Sequence, residues 1–388
     1  MEAIILAGGF GTRLHDLTKD TPKPMVPVAG RPFLTYILDE LEYYHFDHVV
    51  MAVSYLKEQI ISYYGNQYKH IKIDYAIENE PLGTGGAILN CFPLLKEDWF
   101  FVINGDTISR VDYREMSVKK ENQIAVKEMF NFDRYGEVKI NENGCITAFN
   151  EKKFVEKGYI NTGIYYLNKQ SISKYNLKGK FSLESDIFEK YVDDLKIHAF
   201  KTNDYFIDIG IPEDYNRAQI ELKRVPALFL DRDGIINIDK GHVCKIKDFE
   251  FTPFIFDLAR KYQEQGFKLV IVTNQAGIAK GMYTVKDYKI LNEYMLNEFK
   301  KRGIDISGTY YCPHKDEDNC ECRKPKPGMF LDAIHDLNID VDMSVAFGDK
   351  MSDLKAAHAA GINELYFVKT QYEESPVDFK YQIFNFPS

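Results

Sequence analysis

The apolar positions of the chain follow two different spacings. Short runs such as "HVVMAVSY", "IDYAIE" and "WFFVINGD" are almost continuously apolar, which is typical of buried strands. From Phe33 through Leu41 to Tyr44, apolar side chains recur every three or four positions, which predicts an amphipathic helix. Up to Asp106, this alternation of strands and helices predicts a doubly wound parallel α/β sheet.

The pattern changes after Asp106 and then begins again. Shorter segments such as "GEVKIN" and "YINTGIYYL" predict an antiparallel insertion, and a helical pattern leads to Pro226. A second apolar strand starts at Ala227, with "KLVIVTNQAG" and "SVAFGDKMSD" after it. We therefore predict two doubly wound parallel-sheet domains, residues 1–224 and 225–388, with ligands at the carboxyl ends of the strands.

Composition and charge narrow the class of protein. A chain of 388 residues that is 45% hydrophobic and 28% charged predicts two folded domains. A formal net charge of -9 argues against a general nucleic-acid binder. The first residues lack the pattern of a signal peptide, and no apolar run approaches the ~18 residues of a membrane helix. These features predict a cytoplasmic protein without a membrane anchor, and they leave its oligomeric state open.

A glycine-rich loop follows the first strand. The glycines of "GGFGTRL" allow backbone amides to converge on phosphate oxygens. The loop matches neither the Walker nor the dinucleotide fingerprint, so it is weak evidence alone. In "TPKPMVPVAGRP" two prolines flank a lysine and hold it in a defined place. The candidate residues are Gly8, Gly9, Gly11 and Thr12 for nucleotide binding, and Arg13 and Lys23 for catalysis.

Together, "LAGGFGTRL" and "PKPMVPVAGRP" resemble the signature of the sugar-phosphate nucleotidylyltransferases, which join a nucleoside triphosphate to a sugar 1-phosphate and release pyrophosphate. The resemblance extends over residues 1 to about 222. It implies nucleotide binding by Gly83 and Thr84, Mg²⁺ binding by Asp106 and Asp208, and sugar-phosphate binding by Glu151, Lys152, Asn161 and Gly163. It also implies that the sugar phosphate itself attacks, so that Arg13, Lys23 and Mg²⁺ position the substrates and neutralise charge.

A pair of aspartates opens the second half. In "FLDRDG", Asp231 and Asp233 lie two residues apart beyond an apolar strand, which predicts side chains on one face, one as nucleophile and one as general acid. Later strand ends and loops offer Thr273, Lys324 and Asp349. The short spacing between these groups leaves no room for a large cap domain, so we expect loops to shape the substrate site.

This ordered set resembles the haloacid-dehalogenase-like phosphatases over about residues 226 to 370. The resemblance implies that Asp231 becomes phosphorylated and that Asp233 exchanges protons with the leaving alcohol and with water. It implies Mg²⁺ bound by Asp231, Asp349 and the main-chain carbonyl of Asp233. It also implies neutralisation of the phosphoryl group by Thr273 and Lys324, and an orienting role for Asp353.

Soft metal ligands cluster in "CPHKDEDNCECRKPKPG". Two closely spaced pairs of such ligands predict a tetrahedral structural Zn²⁺ that folds this loop and fixes Arg323 and Lys324. The predicted ligands are Cys312, His314, Cys320 and Cys322. The isolated cysteines, Cys91, Cys145 and Cys244, are predicted to be packing residues.

The zinc loop together with "DRDG", "TNQAG" and "DKGHV" resembles the heptose 1,7-bisphosphate 7-phosphatase branch. The substrate contacts that this resemblance implies are Arg232, His242, Thr273, Asn274, Gln275, Arg323 and Lys324. The first half resembles the D-glycero-α-D-manno-heptose 1-phosphate guanylyltransferases, which implies a GDP-heptose-forming enzyme that binds nucleoside triphosphates and sugar phosphates. Three alternatives remain open: another phosphosugar with a different triphosphate, histidinol phosphate hydrolysis, and a non-catalytic nucleotide-sugar sensor.

Overall fold

The computed structural model describes residues 1–9, 18–373 and 375–385. It divides into two compact units, Met1–Leu222 and Lys223–Ser388. The candidate residues Gly11, Thr12 and Arg13 lie outside the described residues. Within the described part of the chain, none of the helices has the length and apolar character needed to cross a lipid bilayer.

The first unit is built around one mixed sheet. Its strands, and those of two small ribbons beside it, are β1 (Glu2–Leu6), β2 (Pro27–Val28), β3 (Arg31–Pro32), β4 (His48–Val53), β5 (Gln67–Tyr68), β6 (Ile71–Ile77), β7 (Trp99–Asn104), β8 (Thr107–Ser109), β9 (Gln123–Phe132), β10 (Glu137–Ile140), β11 (Ile146–Phe149), β12 (Val155–Asn168), β13 (His198–Thr202) and β14 (Phe206–Asp208). Its helices are α1 (Phe33–Tyr43), α2 (Lys57–Tyr64), α3 (Gly83–Cys91), α4 (Tyr113–Val118), α5 (Lys169–Ser173), α6 (Val192–Leu195) and α7 (Pro212–Glu221).

The centre of this sheet is parallel. Strand β1 pairs in parallel with β4 and β7, and β4 pairs in parallel with β6. Strands β1 and β4 are apolar and buried because helices or other elements cover both faces of the sheet. Beyond β7, the long strand β12 runs antiparallel to β7, β9 and β10. The predicted parallel core and its antiparallel addition are both confirmed.

The second unit contains a parallel sheet in the order β17–β16–β15–β18–β19–β20. Its strands are β15 (Ala227–Leu230), β16 (Lys268–Asn274), β17 (Ile306–Cys312), β18 (Val345–Gly348), β19 (Glu364–Val368) and β20 (Gln382–Phe384). Its helices are α8 (Ile255–Glu264), α9 (Val285–Lys300), α10 (Gly328–Asp336) and α11 (Met351–Ala359). The predicted α/β class is confirmed here as well.

The direction in which the chain leaves β15 fixes the site of the second unit. The chain passes from β15 to β16 and β17 on one side, and returns to β18 on the other side. Such a reversal leaves a crevice at the carboxyl ends of the central strands, where ligands bind in open α/β sheets. Asp231 and Asp349 follow β15 and β18 directly and therefore lie at this crevice.

Candidate active sites

A cavity of about 300 Å³ opens at the carboxyl ends of the central strands in the first unit. Gly8 and Gly9 line it after β1, and Ala52 lines it from β4. Asn104 lines it at the end of β7, and Asp106 lines it just beyond that strand. The rest of its described lining is Leu6, Lys23, Pro24, Glu78, Pro81, Gly83, Thr84, Ala87 and Gly105. Several of these lining residues are among the candidates predicted from the sequence, because glycine turns and polar residues follow the strands.

Lys23 reaches the two aspartates predicted to bind metal. Its buried ammonium donates to Asp106 and lies 4.0 Å from Asp208 Oδ1. The aspartates converge because β8 and β14 pair antiparallel, with Thr107 opposite Asp208. Two carboxylates beside one ammonium leave a net negative charge, and carboxylate oxygens are the ligands that Mg²⁺ prefers. The donor set therefore fits a divalent cation.

The glycine turn at the start of α3 packs against Phe181. Gly83 has a φ of +70°, and a side chain there would place Cβ 2.4 Å from the Phe181 carbonyl oxygen. The same carbonyl accepts a hydrogen bond from the amide of Gly85 at 3.1 Å. Glycine is required here for both backbone conformation and space. The turn leaves Gly83 and Thr84 on the cavity wall.

The residues implied for sugar-phosphate binding divide into two groups. Asn161 Oδ1 accepts from the amide of Gly163 at 2.9 Å, and the Gly163 backbone packs closely on the Asn104 side chain that lines the cavity. Glu151 and Lys152 are exposed and are not among the described lining residues. The structure thus brings Asn161 and Gly163 next to the cavity, whereas Glu151 and Lys152 lie in solvent.

Glu78 lines the cavity and was not among the predicted residues. Its side chain is buried, with Oε2 accepting from the amide of Leu82 at 3.0 Å. Burial raises the pKa of this carboxyl. The segment "ENEPLGTGGA" starts at Glu78, so its place before the glycine turn was the available signal. A buried carboxylate in a nucleotide-sized cavity favours a ligand that offers hydrogen-bond donors.

The second unit concentrates charge at the end of β15. Lys324 Nζ donates to Asp231 Oδ1 at 2.8 Å and to the Val272 carbonyl at 2.8 Å, and lies 2.7 Å from Asp353 Oδ1. Burial lowers the pKa of Lys324, but the carboxylates of Asp231 and Asp353 outweigh it and raise that pKa. The lysine therefore remains an ammonium that orients Asp231.

Asp349 completes a group of three buried carboxylates. Oxygens of Asp231, Asp349 and Asp353 all lie within 4.8 Å of one another. Burial, followed by the charges of Asp231 and Asp353, raises the pKa of Asp349 to about 8. Thr370 Oγ1 donates to Asp349 Oδ2 at 3.1 Å, while the buried Oδ1 has no partner among the described residues. An unpartnered carboxylate oxygen in an acidic cluster fits a divalent cation.

Asp233 is held apart from this group. The guanidinium of Arg232 donates to both carboxylate oxygens of Asp233, at 3.0 and 2.8 Å through Nη2. Asn237 Nδ2 donates to one oxygen at 3.1 Å, and Gln275 Nε2 donates to the other at 3.1 Å. Arg232 is buried and also donates to the Val243 carbonyl, while its Nη1 has no hydrogen-bond partner among the described residues. Its structural role is to orient Asp233.

The remaining predicted contacts are placed as follows. The Thr273 hydroxyl is buried and accepts from Gln275 Nε2 at 2.9 Å. The side-chain amide of Asn274 donates to the Lys324 carbonyl and accepts from the Lys324 amide, which fixes the backbone at Lys324. His242 is exposed with a φ of +52°. The structure therefore uses Asn274 and Gln275 as internal supports.

The four predicted metal ligands of the second unit converge. The Sγ atoms of Cys312 and Cys320 lie 3.6 Å apart, those of Cys320 and Cys322 lie 3.4 Å apart, and His314 Nδ1 is 3.3 Å from Cys322 Sγ. Ligands at the Zn–S and Zn–N distances of about 2.3 and 2.1 Å would be separated by about 3.6–3.8 Å in a tetrahedron, within a few tenths of an ångström of these distances. The cluster therefore fits a four-coordinate metal ion.

The cluster of Cys312, His314, Cys320 and Cys322 is joined to the charged residues at the end of β15 by the backbone and by hydrogen bonds. Lys324 follows Cys322 by two residues, and the Cys312 carbonyl accepts from the amide of Gln275 at 2.7 Å. Arg323 donates to Asp316 and to the His314 carbonyl, so its guanidinium is held on the loop itself. Folding of this loop therefore also fixes the position of Lys324 and, through Gln275, that of Asp233.

Comparison with known proteins defines the class of each half. A nucleotidyl transferase family model matches residues 2–224, and the chain belongs to that family. A HAD-hydrolase-like family model matches residues 321–375. Both predicted resemblances are confirmed, and the chain carries both a nucleotidyltransferase and a phosphatase half.

Individual relatives describe each half of the chain more closely than the family models do. The chain is 45% identical over 228 residues to the D-glycero-alpha-D-manno-heptose 1-phosphate guanylyltransferase of Aneurinibacillus thermoaerophilus, covering 58% of this chain and 99% of that protein. It is 47% identical over 151 residues to the D-glycero-alpha-D-manno-heptose-1,7-bisphosphate 7-phosphatase of Campylobacter jejuni, covering 39% and 87%. It is 46% identical over 153 residues to the Yersinia pestis phosphatase named for the beta anomer, covering 38% and 81%.

A solved structure also resembles the first half. It is that of HddC from Yersinia pseudotuberculosis complexed with GMP-PN, with 40% sequence identity and a TM-score of 0.51. The match covers 56% of this chain and 97% of that chain.

Proposed function

We propose that this chain catalyses two consecutive steps in the synthesis of an activated heptose. Residues 225–388 would remove the 7-phosphate of D-glycero-D-manno-heptose 1,7-bisphosphate, and residues 1–224 would join the resulting heptose 1-phosphate to GMP from GTP. The observation that carries the proposal is that one chain holds a nucleotide-sized cavity and a separate buried Asp231–Lys324–Asp349 cluster. The product named for relatives of one half is the substrate named for relatives of the other.

In the phosphatase step, Asp231 attacks the phosphorus of the 7-phosphate, and the bond between phosphorus and the sugar oxygen breaks. Asp233 supplies the proton that the leaving oxygen needs and then takes a proton from the water that hydrolyses the aspartyl phosphate. Lys324 holds Asp231 in place and faces the developing charge. Arg232, with the amides that contact Asp233, sets the direction of proton transfer.

In the transfer step, the protein positions the two substrates and supplies no nucleophile. An oxygen of heptose 1-phosphate attacks the α-phosphorus of GTP, and pyrophosphate leaves. The glycine loops after β1 and before α3 bring the triphosphate and base to the cavity, and Lys23 and Arg13 neutralise charge at the phosphates. Asn161 and Gly163 approach from the sugar side.

The donor sets specify the proposed metals. Asp106 and Asp208 would hold Mg²⁺ in the first unit, and Asp231, Asp349 and the Asp233 carbonyl would hold it in the second. Bound there, Mg²⁺ supplies charge neutralisation at phosphate oxygens. Cys312, His314, Cys320 and Cys322 would hold a structural Zn²⁺. A reducing compartment would keep these thiols from pairing as disulfides, so the proposed zinc site is compatible with the cytoplasmic location that we propose.

Glu78 favours guanine as the base. The Watson–Crick edge of guanine presents two adjacent donors, N1–H and N2–H₂, which match the two oxygens of a carboxylate. Adenine and cytosine each offer a single exocyclic amino group beside a ring acceptor, and uracil and thymine offer a single N3–H between two carbonyl oxygens. On each of these bases a carboxylate would meet an acceptor that repels it. The buried carboxyl on the cavity wall therefore supports GTP over the other triphosphates.

The proposal is tested by supplying either anomer of heptose 1,7-bisphosphate with Mg²⁺ and one of GTP, ATP, CTP, UTP or dTTP. With at least one of the anomers we expect phosphate release whichever triphosphate is present, and GDP-heptose only with GTP, identified by mass spectrometry, with equimolar pyrophosphate. Both anomers are needed because the similar phosphatases are named for different ones. A nucleotide sugar formed with another triphosphate alone would refute the guanine assignment, and failure of both anomers to release phosphate would refute the heptose assignment.

A further inference from the structure

A carboxylate behind the cavity of the first unit joins two segments that are distant in sequence. Glu184 begins a π-helical turn, Glu184–Phe188. Its Oε2 accepts from Thr84 Oγ1 at 2.7 Å and from Ser182 Oγ at 3.0 Å. Its Oε1 accepts from the hydroxyl of Tyr165 at 3.0 Å. One side chain thus connects the start of α3 with the middle of β12.

Each end of this connection reaches the cavity wall. Thr84 lines the cavity, and its hydroxyl also accepts from the amide of Leu183 at 2.8 Å. At the other end, the Tyr165 hydroxyl accepts from Asn161 Nδ2 at 3.0 Å. Asn161 in turn fixes the amide of Gly163, whose backbone packs on a lining side chain. An unbroken series of hydrogen bonds therefore runs from the nucleotide side to the sugar side.

The chemistry of this series requires a carboxylate. Thr84 and Tyr165 each donate a proton, so the group between them must accept at two separate oxygens. A glutamine would offer one accepting oxygen and one donating amide, and could satisfy only one of the two hydroxyls. Tyr165 is buried, so a hydroxyl left without its acceptor there is costly. Glu184 is not among the described cavity-lining residues, and its carboxylate oxygens are engaged by Thr84, Ser182 and Tyr165, so we assign it a role behind the cavity wall.

We propose that Glu184 is a positioning residue that couples the binding of the nucleoside triphosphate to the binding of the sugar phosphate. Ordering of Thr84 by the nucleotide fixes Glu184, which fixes Tyr165 and therefore Asn161 before the sugar phosphate arrives. Because binding free energies are linked, the sugar phosphate strengthens nucleotide binding by the same factor. The inference rests on the proposed function, since it takes Thr84 and Asn161 as contacts of the two substrates.

The test measures this coupling on the full chain by isothermal titration calorimetry. The dissociation constant of heptose 1-phosphate is determined with Mg²⁺ alone and with a saturating GTP analogue that carries a methylene between the α- and β-phosphates. We expect the analogue to tighten heptose 1-phosphate binding in the wild type by about fivefold or more. In Glu184→Gln we expect the ratio to fall to near one, while each ligand alone keeps its wild-type affinity within about threefold.

Two further variants sharpen the result. Tyr165→Phe removes only the hydroxyl between Asn161 and Glu184, and it should lose the coupling too. If Glu184→Gln does not fold, Tyr165→Phe alone tests whether the coupling depends on this series of hydrogen bonds. Ser185→Ala, exposed on the same turn, should keep the wild-type ratio.

Three outcomes would overturn the inference: no coupling in the wild type, full coupling in both variants, or loss of either ligand's own binding in them. If the wild type binds neither ligand alone, the proposed function itself is wrong.

Discussion

The two sites combine a lysine with aspartates but differ in how far the aspartates are exposed. In the first unit the side chains of Asp106 and Asp208 are 33% and 21% exposed beside an open cavity of about 300 Å³. In the second unit the side chains of Asp231 and Lys324 are 7% and 2% exposed. The difference fits the proposed chemistry, in which one site admits a large ligand that brings its own nucleophile and the other holds Asp231 as nucleophile in a fixed, water-poor setting.

The contrast also explains why a lysine in each site has a different task. Lys23 lies at the cavity wall, beside two aspartates whose charge it offsets, and in the proposed reaction it would face the triphosphate. Lys324 is enclosed by Asp231, Asp353 and a main-chain carbonyl, so its position is set before any substrate binds. Preorganised charge of this second kind needs no rearrangement during the reaction.

The strongest test of this contrast is Asp231→Asn. The change removes the nucleophile but keeps an oxygen that can accept from Lys324, so we expect the fold to survive. Phosphate release from heptose 1,7-bisphosphate should fall by about 10⁴-fold or more. Pyrophosphate release from GTP and heptose 1-phosphate should be unchanged. Retention of more than a tenth of the phosphatase rate would show that Asp231 is not the nucleophile.

The next test is Lys23→Ala, which should give the reverse pattern. Loss of the ammonium beside the phosphates should lower the nucleotidyl transfer rate by about 10²–10³-fold, and phosphate release should stay at the wild-type level. Both products are measured in the same reaction mixture. Lys120→Ala, an exposed lysine of the same unit, is the matched control. A parallel fall of both activities would mean that the two sites are not independent.

The sequence predicted those site residues that stand in short, recognisable local patterns. Lys23 between prolines, the Cys and His pairs, and Asp231 after an apolar strand were each found because the local pattern sets their direction. The parallel sheets followed from the same reasoning, since apolar runs ending in polar loops are characteristic of buried strands.

The remaining features depend on contacts between distant segments. Glu184 meets Thr84 across 100 positions, which no local spacing encodes. Arg232 is a charged residue between two aspartates, and sequence alone favours an exposed or substrate-facing side chain. Its burial against Asp233 depends on Asn237 and Gln275, which complete the ring of donors only after the sheet has formed. Local sequence patterns therefore do not predict these long-range polar networks.

A third test asks whether phosphatase activity depends on the Cys and His loop of the second unit. Cys320→Ser removes one of the four ligands, so the protein should no longer retain zinc, as measured by mass spectrometry of the metal content. Because Lys324 and Gln275 are attached to this loop, phosphate release should fall by about 10–100-fold. Nucleotidyl transfer should not change. Cys244→Ser, outside the cluster, is the control. Normal phosphatase activity in zinc-free protein would show that the phosphatase site does not depend on zinc binding by the loop.

The smallest expected effects concern Glu78, where function and stability oppose each other. Glu78→Gln replaces one accepting oxygen by a donating amide, so the preference for GTP over UTP or dTTP should fall by about tenfold. The comparison is between kcat/KM values for each triphosphate. Glu80→Gln, exposed two residues further on, should leave the preference intact. An undiminished preference in Glu78→Gln would remove Glu78 from base recognition.

The same substitution should stabilise the nucleotide-free protein, in a manner that depends on pH. Burial raises the pKa of Glu78 above 4.5, so the buried group favours folding only while protonated, and that contribution is lost as the pH rises through the folded pKa. At pH 8 the wild type therefore carries a buried charge that glutamine lacks. We expect Glu78→Gln to raise the melting temperature by about 2 °C at pH 8 and by less near pH 4.5. An equal shift at both values would mean that the carboxyl is well solvated, and it would weaken the argument that guanine donors are needed to satisfy it.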